Sequence, residues 1–170
     1  MRNLMKLTAV LLFVVTAVTV NAQQKFGHID LQALIQVMPE RATAETEFNT
    51  FQGELEDILG DMQKELQTKM TEFEGMGETV SEIKKNAKIT EIQDLQQRIQ
   101  NYQVTAQQQL QQKQGELLQP VFDKAEKAIE EVAKEKGLLY VFDIGTKVVL
   151  YKSAQSIDVL PLVKTKLGIQ

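Results

Sequence analysis

Two stretches of this chain carry apolar residues at alternating spacings of three and four, and a glycine-rich break separates them. From Glu40 to about Glu74 the apolar positions are Phe48, Phe51, Leu55, Leu59, Met62, Leu66, Met70 and Phe73. That period draws one narrow apolar seam along an α-helix and leaves the other faces polar. Gly75-Met76-Gly77 interrupts it. The pattern resumes at Val80, Ile83 and Ala87. It then runs through Ile92, Leu95, Ile99, Tyr102, Ala106, Leu110, Lys113 and Leu117. A seam out, a flexible break and a seam back predict an antiparallel helical hairpin over residues 40–118, with its turn near 75–79. An outgoing arm of about 35 residues spans ~52 Å at 1.5 Å per residue. A compact domain of this mass is narrower than that, so the arms should project.

Both ends of the chain read differently. Lys25 to Asp30 is a strand candidate, and Leu31 to Met38 supplies a turn or two of helix. Pro39 suits the first position of the next helix, and Glu40 suits its positive end. Pro120 marks an expected kink in the return helix, which continues from Val121 to Lys136 with a wider apolar face. Gly137 fits the C-terminal cap. Leu138 to Asp143, a turn at Ile144-Gly145-Thr146, and Lys147 to Tyr151 read as a β-hairpin. Asp158 can cap a last helix, Val159 to Leu167. Residues 23–39 and 119–170 therefore predict a β-rich body at the root of the arm. The fold class is mainly α with a small β body. The strands are apolar on both sides, and such strands need cover on both faces. One helical face supplies half of that cover, so other copies of the chain are expected to supply the rest. Phe26, Ile29, Leu139, Val141, Phe142, Val148 and Leu150 are the oligomerisation candidates.

Residues 1–22 read as a secretory signal cleaved after Ala22. Arg2 and Lys6 precede an apolar run from Leu7 to Val20, and small residues follow at the cleavage positions. A membrane-spanning helix needs roughly 20 apolar residues, more than this run has. Without Arg2 and Lys6, 17 basic side chains stand against 23 acidic ones. Nucleic-acid affinity needs clustered positive charge, so no nucleic-acid partner is expected. There is no cysteine, so an oxidising compartment would contribute no disulfide.

Nothing in the sequence has the spacing of a catalytic, metal or cofactor site, and the chain reads as a non-enzyme. His28, the single histidine, sits in a strand with no evident partner and reads as structural. No Gly-Lys-Ser/Thr follows the glycines of 75–77, so they are not a phosphate loop. Met70, Phe73, Met76, Val80 and Ile83 gather around the turn, where little structure remains to cover them. Methionine adapts to irregular apolar partners, so these are the client-binding candidates. Twelve glutamines fall between residues 93 and 119. They form either a solvated face or a low-charge wall toward a client. Lys84, Lys85 and Lys88 suit either phosphate headgroups, for a weak membrane-surface contact, or the neighbouring glutamates.

FGHIDLQALIQVMPE at 26–40, VFDKAEKAIEEVAKEKGLLYVFD at 121–143 and VVLYKSAQSIDVLPLVKTKLG at 148–168 resemble the Skp (OmpH) family of periplasmic chaperones. The resemblance implies a homotrimer with a β-rich body from which three helical tentacles hang around a cavity. It also implies that unfolded outer-membrane proteins are held there without ATP or any other cofactor. Familiar members are basic with positive tentacle tips. Here residues 40–118 carry 15 acidic and 8 basic side chains. A second reading is a structural adaptor whose hairpin docks onto one fixed envelope partner.

Overall fold

The computed structural model describes residues 25–169; the export signal assigned to residues 1–22 lies outside them. In chain order the elements are β1 (Lys25–Ile29), α1 (Leu31–Val37), α2 (Pro39–Glu74), α3 (Glu82–Lys136), β2 (Leu138–Asp143), β3 (Ile157–Asp158) and α4 (Leu160–Lys166).

Local chemistry sets most of these boundaries. Asp30 ends β1 and caps α1, its Oδ1 accepting from the Ala33 N–H at 2.9 Å. Met38 is extended, with φ −72° and ψ 131°, as the residue before a proline prefers. Pro39 then opens α2 where its missing N–H costs nothing. Gly75 ends α2, its N–H donating to the Thr71 carbonyl at 3.0 Å. Gly137 ends α3 at φ 63°, a left-handed conformation that favours glycine. At 1.5 Å per residue the 36 residues of α2 span ~54 Å and the 55 of α3 span ~82 Å. Pro120 lies inside α3 without dividing it.

α2 and α3 run antiparallel as a two-helix arm. Ala44, Leu55, Leu95 and Ile99 are buried along their seam. The Tyr102 hydroxyl donates to the Leu55 carbonyl at 3.4 Å, and Lys113 Nζ sits 5.7 Å from the centre of the Phe51 ring. At the root Lys124 is paired with Glu40. That hydrogen bond holds the Glu40 carboxyl below its ordinary range.

The body buries Ile29, Leu34, Ile35 and Met38 against Val121, Ala125, Ala128 and Val132 of α3, with Val159 and Val163 closing the core. Its sheet has the order β2-β1-β3, and β1 pairs in parallel with both neighbours. The expected β-hairpin does not form. Lys147 to Tyr151 is not a strand. After β2, Asp143 Oδ1 accepts from Gly145 N–H at 2.9 Å and from Leu31 N–H at 3.2 Å. These bonds tie the turn to the start of α1 instead of folding the chain back along β2. β1 thereby becomes the central strand. Gly27 is what lets the layers meet: a Cβ there would lie 2.7 Å from Leu138 Cδ1 and 3.2 Å from Val159 Cγ1.

Candidate functional site

Near the turn the arm changes character. Continuing the 3–4 spacing backward from Ile92 lands on Lys88 and Lys85, and these are the half-buried positions. Val80, Ile83 and Ala87, the expected continuation, do not form the seam: Ala87 is exposed and Ile83 is 82% exposed. Lys88 Nζ reaches Glu72 at 2.7 Å and Glu91 at 3.5 Å, and Lys69 Nζ reaches Glu91 at 3.1 Å. A charged clasp therefore replaces apolar packing between the distal arms. Hydrogen bonds from Lys88 and Lys69 lower the Glu72 and Glu91 carboxyls respectively, and the bond to Glu72 raises Lys88.

The pH dependence follows from these directions. Glu72 and Glu91 contribute stability that is present above their unfolded values and lost as pH falls through the lowered folded ones. Lys88 contributes stability present below its unfolded value and lost as pH rises through the raised folded one. The clasp is therefore complete at neutral pH and opens on acidification into the carboxylate range. Because the groups are solvated, molar salt should weaken it too. Amide exchange across residues 82–91 is expected to quicken under either treatment, while Leu95 and Ile99 stay protected. Equal protection of both regions at pH 3 and pH 7 would show that the clasp holds nothing.

The five residues expected to gather at the tip separate into two groups. Met70 and Phe73 join Ile89, Ile92, Gln93 and Gln96 around a groove of about 270 Å³ on one side of the arm. Met76 and Val80 lie half-buried in the turn, and Ile83 stands apart on the first turn of α3. Sequence reading missed Ile89, because it falls beside the seam and not on it.

On the body, Phe26, Tyr140 and Phe142 form an aromatic triangle with ring centres 6.0 to 6.3 Å apart. It lies on the sheet face opposite the core, and all three rings are exposed. Leu139 is exposed at a bulge, where the register passes from Lys25↔Leu138 to Phe26↔Tyr140. Val148 and Leu150 are 80% and 95% exposed in the segment after β2. Two of the oligomerisation candidates lie elsewhere. Ile29 is inside the chain's own core and has no surface to offer a second copy, while Val141 packs inward against that core.

His28 has partners that its sequence neighbourhood conceals. It is buried beneath the segment after β2, between Ser156 and Lys152. Nε2 accepts from Lys152 Nζ at 2.7 Å, which leaves Nδ1–H to donate to Ser156 Oγ at 2.8 Å. The ring fixes the path of a segment lining a cavity of about 570 Å³. Among the described residues no group of His, Cys, Asp or Glu is arranged to hold a metal, and no helix is long and apolar enough to cross a membrane.

Three comparisons bear on what this arrangement belongs to. A protein of Aquifex aeolicus (strain VF5) whose function is uncharacterised is 31% identical over 121 residues, covering 71% of this chain and 74% of its own. The crystal structure of a protein from Caulobacter crescentus CB15, named as an OmpH-like outer membrane chaperone, superposes with a TM-score of 0.73 at 13% identity. The match covers 86% of this chain and 85% of that one. It shows the fold: a mainly helical chain with a long hairpin on a small sheet. The sequence model of the outer membrane protein (OmpH-like) family matches residues 25–167, and the chain is a member of that family.

Proposed function

We propose that this protein is an ATP-independent holdase of the periplasm, a homotrimer whose arms enclose unfolded outer-membrane proteins and keep them from aggregating. The observation that carries this reading is a two-helix arm of ~54 Å that leaves an apolar groove at Met70, Phe73, Ile89 and Ile92 open to solvent. A chain that only needed to be stable would have no use for such a projection. Membership of the OmpH-like family and the chaperone name of the Caulobacter protein support it, as does the export signal in the sequence.

The mechanism needs no fuel. A barrel protein outside the membrane exposes alternate apolar residues with no lipid to cover them, and its strand edges pair and aggregate. Many weak contacts along flexible arms shield that chain without fixing its shape. Insertion into the membrane then withdraws it because the folded barrel is far more stable. The surface proposed for the meeting of three copies is the aromatic face of the body, together with the exposed Leu139, Val148 and Leu150. Contact of the arm tips with lipid is weak, since Lys85 is bridged to Glu82 and Lys88 to Glu72.

Light scattering from a urea-unfolded outer-membrane barrel diluted into buffer tests the function. One trimer per client is expected to suppress the signal, and unchanged scattering would refute the reading. Recovery of one folded partner at fixed stoichiometry would favour an adaptor instead.

A further inference from the structure

The two sides of the arm differ in chemistry. On α3 each seam residue from Ile92 to Lys113 is followed by a glutamine: Gln93, Gln96, Gln100, Gln103, Gln107, Gln111 and Gln114. All seven are exposed. Residues that follow a seam position lie on one side of an antiparallel pair, and the hollows of the surface agree. The distal groove joins Met70, Phe73, Ile89 and Ile92 to Gln93 and Gln96, with Glu74 at its edge. A root groove of about 300 Å³ joins Ala44, Phe48, Leu117 and Leu118 to Gln114. The charges at its rim, Arg41 and Glu45, face each other at 3.4 Å.

The opposite side carries charge. One hollow there is lined by Asp61, Lys64, Glu65, Lys69 and Glu72, and another, at the root, sets Glu40, Glu47 and Glu116 around Leu117, Pro120 and Val121. The clasp of Lys69, Glu91, Lys88 and Glu72 belongs to this side as well. Glutamines that bond along the helix, Gln97 to Asn101, Gln112 to Glu116 and Gln119 to Asp123, all lie off the glutamine row. Its amides are left to water or to a guest.

We infer that the glutamine side is the wall that touches the client, and that its occupant is an extended segment of unfolded polypeptide. The inference rests on the holdase reading and adds which side of the arm does the work. Each primary amide offers donors and an acceptor, as each peptide group of an unfolded chain does. The row spans ~32 Å at helical rise, alongside about ten residues of extended chain. Apolar client side chains enter the two grooves at its ends. The row itself has no charge to desolvate and none to match, so it accepts segments of varied sequence; charge stands only at its ends, as Glu74 beside the distal groove and the Arg41–Glu45 pair beside the root groove. The charged side stays in water.

Two matched pairs of substitutions test this. Gln103→Glu with Gln107→Glu adds two charges to the wall, and Thr105→Glu with Gln109→Glu adds two to the opposite side. Glutamate is about as good a helix former as glutamine, so circular dichroism should show all arms intact. With a urea-unfolded outer-membrane barrel as probe, the first pair is expected to raise the concentration giving half protection by roughly fivefold or more, as charge must be desolvated at the contact. The second pair should leave it unchanged. A photo-crosslinking residue at position 103 should capture the barrel, and one at 105 should not. Equal effects of the two pairs, or capture from both positions, overturn the assignment while leaving the holdase standing. Crosslinks from 103 only to another arm also overturn it. A wild-type protein that gives no protection overturns the function and the assignment with it.

Discussion

Phe142→Asp is expected to convert the proposed trimer to monomers and to abolish protection of unfolded barrels in the same step. Phe142 stands 6.2 Å from Phe26 and 6.0 Å from Tyr140, ring centre to ring centre. Its side chain is 45% exposed, on the sheet face away from the core. In a trimer closed over that face, a carboxylate would be buried without a partner. The penalty for an uncompensated buried charge is about 3–5 kcal/mol at each interface, enough to dissociate an assembly of ordinary affinity. The isolated chain should tolerate the change, because the same carboxylate faces water in a monomer. Far-ultraviolet circular dichroism should therefore be unaltered while the native mass falls threefold. An unchanged mass, or full protection by the monomer, would remove the aromatic triangle from the proposed interface.

Leu34→Ala is expected to weaken the body of each subunit by about 2–5 kcal/mol, the range for emptying a well-packed leucine site. Leu34 is fully buried among Ile29, Val121, Ala125, Val159 and Val163, so neighbours on β1, α3 and α4 would have to move together to refill the space. Ile83→Ala, at an exposed position, should change stability by no more than about 0.5 kcal/mol. Hydrogen exchange in urea reads both: β1 amides should open much earlier in the first variant and at the usual concentration in the second. Matching behaviour of the two variants would mean that the body does not depend on this core.

The arm was legible in the sequence because its stabilising contacts recur every three or four residues. The body was legible only where a single residue type imposes a conformation. Pro39 opens α2 and the φ of 63° at Gly137 closes α3, as read. The misreadings within the body share a cause: their partners are remote in sequence. Leu138 to Asp143 pairs with Lys25 to Ile29, and nothing in a local apolar run tells a parallel partner from a hairpin partner. His28 looked solitary because Lys152 and Ser156 lie more than a hundred residues on. The distal clasp was misread for another reason. Lys85 and Lys88 hold seam positions, but two lysines in succession break the apolar run, and the eye drifts to Val80 and Ile83. The glutamine row was open to view as a strict companion of the seam, yet which side of the arm it occupied required both helices.

The central place of β1 orders the events of folding. Its hydrogen-bonding partners begin at Leu138 and end at Asp158, so the first strand to be made is the last to be enclosed. Chain delivered N-terminus first can zip the arm from nearby contacts, whereas closing the sheet carries the entropy of a loop of more than a hundred residues. By then the arm has brought the two ends of that loop together. The hairpin thus serves as a splint for the assembly of its own base, and a nascent chain cut short of residue 157 would lack β3 and the Val159 and Val163 that close the core.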